Sequence, residues 1–224
     1  MAPPPDVPVV QFVWFRANDR CLADPSLFQA VRDTAQGWQE RGLNAQYWGI
    51  SVNRANEFFW LLLWQSHAHS TAIKADPSYP TFVHDREALA TAPVFDIHVP
   101  FSGNPQRTLE APVTEMSFYK TDDREVNPDV RPAAETQELI RHITYRIESL
   151  QLQGFIALSW GIAIEDGTRG VYLAGWKSIE DHMRLGTLDD HKVFVEETEE
   201  IFKGLTDLHI AYAPFKLHGA PSST

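Results

Sequence analysis

The sequence predicts an α+β protein made of two tandem ferredoxin-like β-α-β-β-α-β repeats, and three observations carry that expectation. Strand-like and helix-like stretches occur in this order twice along the 224 residues. One stretch is also present twice. Subtracting 112 from Trp176, Ser178, His191 and Phe194 gives Trp64, Ser66, Tyr79 and Phe82, and Trp160-Gly161-Ile162 falls on Trp48-Gly49-Ile50. A single offset over that span marks an internal duplication. Finally, a sheet with helices on one face leaves its other face bare, so two such sheets in one chain are expected to cover each other as an intrachain α+β barrel. The expected boundaries are 9–101 for the first repeat, 102–111 for a linker and 112–216 for the second repeat.

Taken in order, Val9 to Arg16 alternates large apolar residues and reads as a strand. Asp24-Pro25 is a helix start, Leu27, Phe28, Val31, Ala35 and Trp38 keep helical spacing, and Gly42 closes it. Ala45 to Val52 and Phe58 to Gln65 are strands around a polar turn, the latter so apolar that both its faces must be covered. Ser66 can cap a short helix, Phe82 to Ala90 is helical, and Val94 to Phe101 is the fourth strand. Residues 102–111 have linker composition. The pattern then restarts with a strand from Val113 to Lys120 and a polar insertion from Asp122 to Arg131. Leu139, Ile140, Ile143, Ile147 and Leu150 form one helix face ending before Gly154. Phe155 to Ile164 and Val171 to Trp176 are strands, Ser178 with Asp181 resembles a capping box, His191 to Phe202 is expected to be helical, and Asp207 to Phe215 is the last strand.

Bulk properties narrow the function. A net charge of −11 argues against nucleic acid or an anionic membrane as partner. No apolar run is long enough to span a bilayer, and Met1 to Asp6 does not read as a secretory signal. Cys21 is the single cysteine, so neither an internal disulfide nor a thiolate metal cluster can form. A soluble cytoplasmic protein is expected. No metal-spaced cluster, glycine-rich phosphate loop or nucleophile elbow occurs, so no metal and no cofactor are expected.

The marks Tyr47-Trp48-Gly49, Trp64-Gln65-Ser66 and Asp76-Pro77-Ser78-Tyr79-Pro80-Thr81-Phe82 have counterparts in Ser159-Trp160-Gly161, Trp176-Lys177-Ser178 and Asp189-Asp190-His191-Lys192-Val193-Phe194. With them the chain resembles the dimeric α+β barrel superfamily, in particular its antibiotic biosynthesis monooxygenase, stress-responsive and polyketide cyclase-like members. The resemblance implies a barrel pocket and a hydrophobic small-molecule substrate, with the chain acting as a pseudo-dimeric monomer or forming a further homodimer. It implies a cofactor-free enzyme of secondary metabolism that cyclises, isomerises or dehydrates a polyketide- or terpenoid-like intermediate. The alternatives are a cofactor-independent monooxygenase of a phenolic or quinol substrate and a non-enzymatic stress-responsive ligand-binding barrel. His191 matches the family's catalytic base, with Tyr79 at the same place in the first half as a hydrogen-bond donor. Asp189 stands where the motif has proline, and Leu185 where an assisting tyrosine is found.

The residues add further candidates. Val113, Glu115, Ser117 and Tyr119 share one strand face, expected to turn into the barrel, while Thr114, Met116 and Phe118 suit the helix layer. A carboxylate in an apolar interior is costly unless paired, which makes Glu115 a candidate acid, base or partner of His191, with Ser117 beside it. Tyr119, Phe15, Tyr47 and Trp60 are candidate aromatic walls. His98 and His209, on the last strands, are candidate ligand contacts, whereas His67, His69 and His182 are expected to be solvated.

Overall fold

The computed structural model describes residues 7–121, 133–150, 152–185, 187, 196–199 and 205–219. His191 and the polar insertion lie outside the described residues, as does the expected helix after His191 except for the helical residues 196–199.

The chain forms two compact units, one running to Phe101 and rejoined from Phe215, the other spanning Ser102–Pro214. In the first, β1 (Val9–Arg16) is followed by α1 (Asp19–Ala23) and α2 (Ser26–Gln36). Strands β2 (Leu43–Ile50) and β3 (Glu57–Trp64) come next, then α3 (His67–Ile73), α4 (Tyr79–Glu87) and β4 (Phe95–Val99). The stretch read as a linker contains β5 (Phe101–Gly103) and α5 (Pro105–Leu109), with Thr108 and Leu109 buried. The second unit then has β6 (Val113–Lys120), α6 (Ala133–Ser149), β7 (Phe155–Ile162), β8 (Arg169–Trp176), α7 (Ile179–Leu185) and β9 (Thr206–Ala213). The chain ends on β10 (Lys216–Leu217), which returns to the first sheet.

The sheet orders are β10-β2-β3-β1-β4 and β5-β7-β8-β6-β9. Each therefore contains the expected four-stranded ferredoxin-like core plus one extra edge strand, and neither closes on itself. No helix among the described residues is long and apolar enough to cross a membrane.

The two units repeat each other in detail. Both have a register shift at the start of the second core strand, between Leu43 and Ala45 and between Phe155 and Ala157, again 112 apart. Gly42 and Gly154 both have positive φ, at 97° and 81°, which only glycine adopts without strain. Each offers its carbonyl to the residue after the third core strand, Gln65 and Lys177, at 2.8 Å.

The facing of β6 differs from the expectation. Directly opposed residues of antiparallel strands share a face, and Glu115 lies between Ala174 and Tyr212 while Ser117 lies between Tyr172 and Ile210. That face carries Val113, Tyr119, Trp176 and Tyr212, which pack with Ile140, Ile143 and Ile147 of α6. Glu115 and Ser117 thus look toward the helices, and Met116 and Phe118 take the opposite face. The reason the alternation misleads is that β6 is buried on both faces, so hydrophobicity does not distinguish them. The first unit obeys the same rule, with Phe15 edge-on to Phe28 of α2 at 5.5 Å.

Candidate functional site in the second unit

A cavity of about 90 Å³ lies between the sheet and helices of the second unit. One water needs only about 10–15 Å³ on this measure, so the space exceeds a packing defect. Its floor is Glu115, Tyr119, Tyr172 and Trp176, and its roof is Ile140, Ile143 and Ile147, with His182 and Leu185 from α7 and Thr198 and Leu205 at the side. The three isoleucines follow the helical spacing read from the sequence.

Aromatic volume on the cavity-facing helix differs between the two units. The same offset of 112 sets Phe28, Trp38 and Trp60 against Ile140, Leu150 and Tyr172. In the first unit Phe28 is edge-on to Trp60 at 6.0 Å, Trp38 stacks on Trp64 at 6.2 Å, and Phe82 meets Trp38 at 4.7 Å. At two of these positions, Phe28 and Trp38, the second unit carries the smaller aliphatic side chains Ile140 and Leu150.

The polar side chains differ in the same way. In the first unit Trp64 Nε1 donates to Gln11 Oε1 at 3.0 Å, Gln11 Nε2 donates to Asp96 Oδ1 at 2.8 Å, and Arg86 Nη1 donates to Asp96 Oδ2 at 2.5 Å. Trp60 Nε1 donates to Gln46 Oε1 at 3.1 Å. Register places Glu115 where the first unit has Gln11, Trp176 where it has Trp64, Ile210 where it has Asp96 and Leu158 where it has Gln46. The chain of partners is dismantled by these exchanges. Trp176 Nε1 and Tyr119 Oη are fully buried and have no hydrogen-bond partner among the described residues. Leaving a buried donor unmade costs about 1–3 kcal/mol, so two on one cavity wall are a marked departure.

Glu115 is 6% exposed. It accepts a hydrogen bond from Ser117 Oγ at 3.3 Å, and His182 Nε2 lies 3.4 Å from its Oε2. Both are longer than ordinary hydrogen bonds, leaving capacity on the carboxylate for a ligand proton. The His182 ring lies against Trp176 at 4.9 Å, and its Nδ1 is 2.9 Å from the Tyr212 hydroxyl. Burial first, then the negative charge of Glu115, pushes the Tyr212 hydroxyl pKa up; burial alone raises that of Tyr119. Both phenols therefore stay protonated over the working range of a protein. Gly170, opposite Tyr119 on β8, leaves room for that ring, since a methyl there would collide with it.

Of the sequence candidates, Glu115, Ser117 and Tyr119 come together here, with Tyr119 on the cavity wall and Ser117 holding the carboxylate. His191 lies outside the described residues. Tyr79 packs against Trp38 and Phe82 in the first unit, and burial raises its pKa. Phe15 and Trp60 face the helices of that unit, whereas Tyr47, opposite Leu61, takes the other face. The expected wall of Phe15, Tyr47 and Trp60 does not form on one face. His98 is 4% exposed and bonded to Ser70 Oγ through Nε2 at 2.6 Å. His209 pairs with Phe118, on the face of its sheet away from the cavity. His182, read as solvated, is instead on the cavity wall. Its sequence signal was the repeat, because position 182 is 112 beyond Ser70, which already reaches the last strand of its own sheet.

No protein-family model matches the chain, and no curated protein matches its sequence. Solved structures do match. A provisionally assigned monooxygenase of Fusobacterium nucleatum superposes with a TM-score of 0.63 at 12% identity, covering 94% of each chain. An anthrone oxidase-like protein superposes with a TM-score of 0.63 at 9% identity over 98% of this chain and 96% of its own. A chlorite dismutase variant of Candidatus Nitrospira defluvii gives 0.52 at 8% identity over 92% and 90%. At such identities the likeness concerns the fold. It shows that this two-unit ferredoxin-like α+β architecture is shared with solved structures over nearly the whole chain.

Proposed function

We propose that the second unit is an enzyme site that removes a proton from a phenolic or enolisable aromatic molecule and lets the resulting anion react with dioxygen without an added cofactor. The observation that carries this is one cavity wall holding an ionisable Glu115–His182 pair beside two buried donors that have no partner among the described residues. The pair accepts the proton, a role worth roughly 10²–10⁴ in rate for a well-placed base. The Tyr119 hydroxyl and Trp176 N–H receive the substrate oxygen as it gains enolate charge, where they need no reorganisation. The cavity of about 90 Å³ is smaller than the roughly 300 Å³ of a pocket that encloses a whole ligand, so its apolar roof and aromatic floor suit one edge of a flat hydrophobic ring system. For a methylene flanked by aromatic rings the reaction balances without a reductant. The carbon is oxidised to a ketone by gaining one atom of dioxygen, and the other oxygen atom is reduced and leaves as water with the two methylene hydrogens. The names of the monooxygenase and anthrone oxidase-like neighbours favour this outcome over cyclisation, isomerisation or dehydration, which share its first step.

The test is oxygen uptake and product mass with a panel of anthrones and naphthols. The expected product gains one oxygen and loses two hydrogens, and Glu115→Gln and His182→Ala each lower kcat/KM by about 100-fold or more. An isomeric or dehydrated product formed without oxygen moves the answer to a cyclase, isomerase or lyase. Loss of turnover in His191→Ala with Glu115→Gln unaffected moves the base to His191 and overturns the assignment made here. Binding without turnover of any panel member leaves a ligand-binding protein.

A further inference from the structure

The geometry points to Tyr212 as a positioning residue that holds His182 in the tautomer carrying its proton on Nε2, facing Glu115. This rests on the reading of Glu115 and His182 as the proton-accepting pair. Tyr212 follows directly from the strand register, since it is paired with Glu115 across β6 and β9 and shares its face. Its hydroxyl lies 2.9 Å from His182 Nδ1, while His182 Nε2 lies 3.4 Å from Glu115 Oε2. A neutral imidazole has one N–H and one lone pair, so these two contacts are coupled. A carboxylate oxygen facing the ring favours the proton on Nε2, but at 3.4 Å it does so weakly, and the Tyr212 O–H donated to Nδ1 at 2.9 Å completes the choice. The reverse arrangement, Nδ1–H toward the phenol oxygen, would set the Nε2 lone pair against the carboxylate. The buried phenol keeps its proton and so remains able to donate.

The first unit shows what is particular here. Its equivalent positions hold Ser70 and His98, bonded at 2.6 Å, with neutral Gln11 in place of Glu115. A helix-to-strand hydrogen bond persists in both units. In the second, the imidazole has moved onto the helix, where it reaches the cavity and a carboxylate at once. Tyr212 does not line the cavity, so its effect on a substrate passes through His182.

The experiment is ¹⁵N-edited NMR of the His182 ring at neutral pH in the wild-type chain and in Tyr212→Phe, alongside steady-state kinetics on whichever panel compound turns over. The expected result is an Nε2–H imidazole in the wild type and a tautomer mixture in Tyr212→Phe. The variant should keep the wild-type KM while kcat falls about 10-fold, the low end for disturbing a general base. A mere structural tie would lower the melting temperature and leave the tautomer and the split between KM and kcat unmoved. An Nδ1–H ring in the wild type overturns the inference even if the variant fails to fold, and so does an unchanged Nε2–H ring in Tyr212→Phe. The tautomer is read without substrate, so failure of the enzymatic reading shows separately, as full turnover in Glu115→Gln.

Discussion

Two tryptophans at equivalent places have opposite fates. Trp64 and Trp176 are both deeply buried, at 1% and 2% exposure, yet among the described residues only Trp64 has its N–H satisfied. Replacing each by phenylalanine removes similar volume, so the difference between the two variants isolates the hydrogen bond. Trp64→Phe strands Gln11 Oε1 as well as losing the bond, whereas Trp176→Phe removes a donor that already lacked an acceptor. We expect Trp64→Phe to be less stable than Trp176→Phe by about 1–2 kcal/mol in urea unfolding, with Trp176→Phe the one that impairs turnover. Equal destabilisation would mean that Trp176 is satisfied in solution and is no oxyanion donor. This contrast was half legible in the sequence. The offset of 112 pairs the two tryptophans at once, but the partner that distinguishes them sits on the first strand, where Gln11 and Glu115 are 104 apart because the intervening loops differ in length. His182 was missed for a related reason: its six-residue distance from Trp176 fits no metal or triad spacing, and only the sheet register brings Glu115 and Tyr212 beneath it.

At the level of elements, α2 and α6 occupy equivalent places in their units with different cargo. Phe28, Val31 and Ala35 on α2 answer to Ile140, Ile143 and Ile147 on α6, so the large ring has been lost from one end and branched aliphatics added along the face. The helical period was readable from sequence, and so was the apolar face. The void beneath it was not, because a cavity is set by the summed volume of several elements and not by any one pattern. Restoring the first unit's residue tests whether that void is the site. Ile140→Phe adds a ring over Tyr119 and should leave the fold intact, with stability changed by no more than the roughly 1–3 kcal/mol typical of overpacking. It should abolish ligand binding, read as the loss of a ligand-induced rise in melting temperature. Retained binding would place the ligand elsewhere.

On the scale of the whole chain, the last strand does not stay with the unit it follows. After β9, the backbone returns to the first sheet as β10, pairing Lys216 with Trp48 and Leu217 with Tyr47. Two residues of strand carry no period, so nothing in the sequence after Phe215 marks β10. What fastens it is side-chain chemistry. His218 N donates to Gln46 O at 2.8 Å, and the His218 ring sits between Arg32 and Asp33. Arg32 Nε donates to Nδ1 at 3.4 Å, and Nε2 lies 3.0 Å from Asp33 Oδ1, an arrangement that needs a neutral ring. Arg32 cannot move away, because its guanidinium is held 4.2 Å from both the Phe28 and the Trp48 ring centres and burial pushes its own pKa down to about 10. Lys216 adds a second cation over Trp48 at 5.3 Å. Burial, then the charge of Arg32, lowers the His218 pKa below its ordinary 6.5, with Asp33 opposing. The folded chain therefore binds this proton less readily than the unfolded one, so stability is full above pH 6.5 and declines as the pH falls through that value. Hydrogen exchange across β2 is expected to speed up as the pH is lowered from about 7 through 6.5, after correction for intrinsic rates, while β7 and β8 are unchanged. His218→Gln should flatten that dependence, and a β2 whose protection ignores both pH and the substitution would show that the strand is held by its backbone bonds alone.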